Sequence, residues 1–94
     1  MKVDILAFGA HPDDIELGCG GTIYKSTQHG KIVGFVDLTE GELGTRGNTK
    51  IRANESSKAA RILGASFRDN LKFPDGFISN NKENLLKLIK KIRL

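Results

Sequence analysis

The chain alternates between short apolar runs and segments whose apolar residues recur every three or four positions. Val3 to Gly9 is compact, apolar and rich in strand formers, which predicts a buried strand. Gly18 to about His29 places Ile23 and Tyr24 on one side and meets Gly30 as a stop, which predicts a helix. Lys31 to Leu38 predicts a second strand. The glycines Gly41, Gly44 and Gly47 then mark a loop from Thr39 to Asn48. Asn48 or Thr49 can cap a second helix running to Leu63. Ala53, Ala60 and Leu63 form its buried stripe, with Ala59 and Ile62 beside them and Gly64 past its end. Ser66 to Leu71 predicts a third strand, and Phe73-Pro74-Asp75-Gly76 a turn. Asn80, followed three residues later by Glu83, resembles a capping box. The helix it opens carries Leu85, Leu88, Ile89 and Ile92 along one face.

The predicted order is β-α-β-α-β-α, which calls for an α/β fold with a parallel sheet and right-handed crossovers. Three parallel strands bury little surface, because such a sheet wants both faces covered. The apolar stripe of the last helix also runs to Leu94 without a stop signal. The expectation is one incomplete domain over residues 1–94, the amino-terminal half of a larger one.

Charge and cysteine content narrow the picture. The net charge of +4 is uneven: from Lys82 onward five basic residues face one acid, whereas the first 81 residues balance. The basic character thus belongs to one terminal helix and predicts no nucleic-acid surface. No apolar run approaches the roughly 20 residues of a membrane span, and Asp4 interrupts the start of the chain where a secretory leader would be apolar. Cys19 is the only cysteine, so no internal disulfide forms and a reducing cytoplasm is the expected setting.

The chemistry concentrates in Ala10-His11-Pro12-Asp13-Asp14, directly after the first strand. Open α/β sheets place their ligands at the carboxyl ends of strands. His11 and Asp14, three positions apart across a turn that Pro12 stiffens, suit two ligands of a zinc or another divalent ion. Asp13 between them is then free to act as a base. The plainer alternative is an Asx turn and a helix cap. The other histidine, His29, sits about 16 Å along the first predicted helix and cannot reach the same ion. Cys19 lies nearer but stands among close-packing glycines.

The run from Ala10 to Thr22 resembles the first signature of the PIG-L/LmbE family of zinc-dependent N-acetylglucosamine deacetylases. The resemblance continues through Leu38 to Gly47, Arg52-Ala53-Asn54-Glu55, Ala59 to Gly64, Asn70-Leu71 and Asp75-Gly76. It is similar above all to the branch acting on N-acetylglucosaminyl-malate in bacillithiol synthesis. The resemblance implies a Rossmann-like three-layer sandwich and hydrolysis of an N-acetyl group from a small-molecule GlcNAc conjugate. It implies His11 and Asp14 as zinc ligands, Asp13 as general base, and Arg52, Arg46 and Glu42 near the substrate. It also implies a third ligand, a histidine in the second half of the family's domain, and a homo-oligomeric full-length protein.

Other readings compete with these implications. Arg52 can instead pair with Glu55 on a solvated helix face. A nucleotide-binding half-domain would need Gly-x-Gly-x-x-Gly after the first strand. Gly9-Ala10-His11 breaks that pattern, and so does Gly18-Cys19-Gly20, which leads to Ile23. A catalytically inert fragment or interaction module is the remaining alternative.

Overall fold

A computed structural model describes residues 2–42, 49–76 and 78–93. The elements run β1 (Ile5–Gly9), α1 (Asp14–Gln28), β2 (Val33–Asp37), α2 (Thr49–Leu63), β3 (Phe67–Asn70) and α3 (Lys82–Ile92). The three strands form one parallel sheet in the order β1-β2-β3, with Ile5 opposite Val33 and Gly34 opposite Phe67. The predicted order and the parallel α/β fold are therefore as observed. Arg46 and Asn48 lie outside the described residues. Among the described residues no helix is long and apolar enough to cross a membrane.

Strand alternation sorts the side chains into two layers of contact. Ile5 and Ala7 of β1 and Val33 and Phe35 of β2 face α1 and α2. There they pack with Ile15, Ile23, Cys19, Ala60, Leu63 and Ala65. Val33 and Phe35 are fully buried. The opposite face carries Leu6, Phe8, Val36 and Phe67, which with Ile92 line an open groove beside α3. Helices thus flank the sheet on both sides. Gly34 is required on this second face, because a Cβ there would run into the Phe67 ring lying across it.

Several local expectations shift. Helix α1 begins at Asp14, four residues before the predicted Gly18, and crosses the glycine cluster with a kink at Cys19 (φ −146°, ψ 20°). Its inward line is Ile15, Cys19, Gly20 and Ile23, which turns Tyr24 outward to 47% exposure. On α2 the sheltered line is Arg52, Ser56, Ala59, Ala60 and Leu63. Ala53 is exposed and Ile62 is 74% exposed, because the inward face begins with two polar positions rather than with Ala53. The cap of α3 is Asn81, whose side chain accepts from the Asn84 N–H at 2.9 Å, one residue beyond the predicted Asn80. Its apolar stripe stays largely open: Leu85, Ile89 and Ile92 are exposed, and Leu88 is half-buried. The helix is tied down by Lys91, 2.9 Å from Asp69, and by Lys87 over the Phe73 ring.

Candidate active site

The loops that follow the three strands are stitched together by backbone bonds, and this stitching builds the site. The Leu38 N–H donates to Gly9, and the Thr39 N–H and hydroxyl both donate to Ala10, at 2.8–3.2 Å. On the other side, the Phe73 N–H donates to Leu38 at 2.8 Å and the Asn70 side-chain amide to Thr39 at 2.7 Å. Thr39 is fully buried at the centre of this seam. The loop after β1 and the loop after β3 are consequently held against the one between them.

His11 and Asp14 meet within one turn. The Asp14 N–H donates to the His11 carbonyl at 3.2 Å, and the Asp14 carboxylate accepts from the His11 N–H at 3.0 Å. These bonds leave His11 Nδ1 3.5 Å from Asp14 Oδ2, with both side chains nearly half exposed. Zinc bond lengths of about 2.0–2.2 Å at tetrahedral angles put two ligand atoms roughly 3.3–3.5 Å apart. The observed separation suits two corners of such a centre, and the nitrogen–oxygen donor pair suits zinc. No group of three or more His, Cys, Asp or Glu poised to hold a metal occurs among the described residues.

The other ring nitrogen, Nε2, lies 2.6 Å from Oδ1 of Asp75, a residue only 7% exposed. This hydrogen bond is the main cause of an upward shift in the His11 pKa, opposed by partial burial and reinforced by the charges of Asp75 and Asp14. The sequence marks Asp75 as part of a turn and of the family resemblance, with no role of its own. A carboxylate within Pro74-Asp75-Gly76 carries no local mark of burial, and its partner lies 64 positions away.

Asp13 occupies the cap position of α1 with φ 117°, a conformation strained for any residue but glycine. Its carbonyl accepts the first helical bond, from Leu17 at 2.9 Å, yet its side chain makes no capping hydrogen bond. Asp13 is exposed, and its carboxylate takes no part in closing the helix. That observation counts against the plain helix-cap interpretation.

Of the expected substrate residues, Arg52 and Glu42 take up structural contacts. An N–H of the Arg52 guanidinium donates to the Gly41 carbonyl at 2.7 Å, which gives Arg52 a loop contact in place of the proposed Glu55 pair. Gly41 has φ +68°, and a Cβ there would stand 2.6 Å from that guanidinium nitrogen. Glu42 accepts from the Asp75 N–H at 3.1 Å, steadying the turn that carries Asp75. Cys19 packs against the core, and His29 ends α1 with its ring bonded to the Lys25 carbonyl.

Beneath the site, Arg68 joins three elements. It donates to both Asp37 oxygens at 2.6 and 2.9 Å, to Glu16 at 2.9 Å and to the Ser56 carbonyl at 3.2 Å. Burial pushes the Asp37 carboxyl up, against the pull of Arg68; burial also works against the Arg68 charge, but the hydrogen bonds and charges of Asp37 and Glu16 outweigh it and raise the Arg68 pKa. An acid at the end of β2 would serve a nucleotide-binding half-domain by meeting a ribose. Asp37 is 2% exposed and bound to Arg68, so it is not offered to a ligand.

The family model described as PIG-L, GlcNAc-PI de-N-acetylase, matches residues 6–93. The chain belongs to the PIG-L family. The uncharacterized deacetylase YaiS of Escherichia coli K12 is 46% identical over 71 residues, which cover 76% of this chain and 38% of that protein. The diacetylchitobiose deacetylase of Thermococcus kodakarensis is 32% identical over 96 residues, covering 95% of this chain and 36% of the relative. Among solved structures, the conserved protein TT1542 of Thermus thermophilus superposes with a TM-score of 0.92 at 46% identity. That match covers 98% of this chain and 42% of TT1542. The chain therefore spans less than half the length of these relatives.

Proposed function

We propose that this PIG-L chain supplies the metal-binding turn and the general base of an N-deacetylase acting on a GlcNAc conjugate. The observation that carries this reading is the triplet itself. His11 Nδ1 and Asp14 Oδ2 face each other at 3.5 Å, while Asp13, between them in sequence, makes no capping bond with its carboxylate. His11 and Asp14 hold the divalent ion, for which zinc is the natural choice given one nitrogen and one carboxylate donor. When bound, such an ion supplies an acidified water and an electrophile for the acetyl oxygen.

The chain's own residues do the rest. Asp13 takes the proton of the attacking water and returns one to the departing amine. Its strained backbone is the cost of aiming the carboxylate away from the helix. The family resemblance implies Arg52, Arg46 and Glu42 as the residues that meet the substrate. Arg52 keeps guanidinium donors beyond the one given to Gly41, and its planar fork suits a carboxylate on the aglycone. N-acetylglucosaminyl-malate has such a carboxylate, and we take it as the substrate, with the enzyme working as a homo-oligomer in the cytoplasm and without a nucleic-acid partner. A chitobiose-type substrate is the second reading, favoured by the likeness to the Thermococcus deacetylase.

The test uses the full-length protein, loaded with zinc and offered both conjugates. Acetate release from the malate glycoside should exceed that from diacetylchitobiose. Asp13→Asn should lower kcat by about a hundred- to ten-thousand-fold while zinc stays bound. Full turnover in Asp13→Asn would remove Asp13 as the base, and preference for the chitobiose would replace the substrate.

A further inference from the structure

We propose that Asp75 is a positioning residue: it holds the His11 imidazole by Nε2 and so dictates that Nδ1 is the nitrogen offered to a cation. The proposal rests on the metal-hydrolase function above and adds to it a residue from a distant loop.

An ionised carboxylate only accepts, so at 2.6 Å the Nε2 atom must carry the hydrogen. A neutral imidazole has one N–H, which leaves the lone pair on Nδ1. Nδ1 is the atom facing Asp14 Oδ2 at 3.5 Å, so the tautomer and the ligand pair agree. Asp75 is buried whereas His11 is nearly half exposed, so water competes poorly for the bond on the acid's side. The acid is itself braced, because its own N–H donates to Glu42 and the loop before it is tied to Leu38. Metal-bound histidines characteristically donate their second N–H to a carboxylate, which fixes ring orientation and increases ligand basicity. The Asp75–His11 bond has that geometry.

The experiment is a zinc competition titration on the full-length protein, metal-free at the start, with Asp75→Ala and Asp75→Asn beside the wild type. Asp75→Ala should raise the zinc Kd roughly 10- to 100-fold. Asp75→Asn should recover part of the loss, since its amide oxygen still accepts from Nε2. Nitrogen-15 spectra of metal-free wild type should show His11 protonated at Nε2 in its neutral form, and that measurement stands even if Asp75→Ala fails to fold. A folded Asp75→Ala with a zinc Kd within about twofold of wild type would overturn the proposal, given the 10–100-fold loss expected. So would a neutral His11 protonated at Nδ1. Wild type that binds no zinc, with His11 still protonated at Nε2, would defeat the metal reading and leave the Asp75–His11 bond standing.

Discussion

Asp13 sits in a backbone conformation that works against the stability of the fold. Its φ of 117° places a side-chain-bearing residue where glycine is at ease, and the carboxylate gains no capping bond in return. Strain of this kind costs about 1–3 kcal/mol and concentrates at active sites. Glycine is nearly as good a cap as a side chain that does not bond. Asp13→Gly should therefore stabilise the metal-free full-length protein by about 1 kcal/mol in urea unfolding, while abolishing deacetylation. Loss of stability would mean that the Asp13 side chain contributes a contact the fold needs.

Between elements, Arg68 is the principal fastening. It links β3 to Asp37 of β2, to Glu16 of α1 and to the backbone of α2, with 6% of its side chain exposed. Removing it leaves the Asp37 carboxylate buried without its partner. Arg68→Met should cost about 3–5 kcal/mol, and adding Asp37→Leu should restore much of that loss, because a buried pair is often replaceable by packed apolar groups. A loss below about 1 kcal/mol, the level of an exposed ion pair, would show that the network is a surface pairing in solution.

The strands and helices were legible because apolar runs, helical spacing and glycine stops agree with one another. The start of α1 was not: Asp13-Asp14 and the glycines of 18–21 locally favour a loop, yet packing of Ile15 against the sheet carries the helix through them. The His11–Asp14 pair was legible because a turn alone brings them together. Asp75 and Arg68 were not, because their partners are 64 and 31 residues away and meet only through sheet register and loop stitching.

At the scale of the molecule, a three-stranded sheet positions all of this at its carboxyl edge. One face is sealed by α1 and α2, and the other holds Leu6, Phe8, Val36 and Phe67 in an open groove beside α3. His11, Asp13, Asp14 and Asp75 come from two of the loops above that edge, and the PIG-L resemblance implies that a further histidine joins them. Diffraction from zinc-loaded crystals of the full-length protein, collected on both sides of the zinc edge, locates the ion directly. An anomalous peak bonded to His11 Nδ1 and the Asp14 carboxylate, with Asp13 unligated beside it, is the expected result. A peak on Asp13, on Nε2 of His11, or elsewhere in the molecule would contradict it.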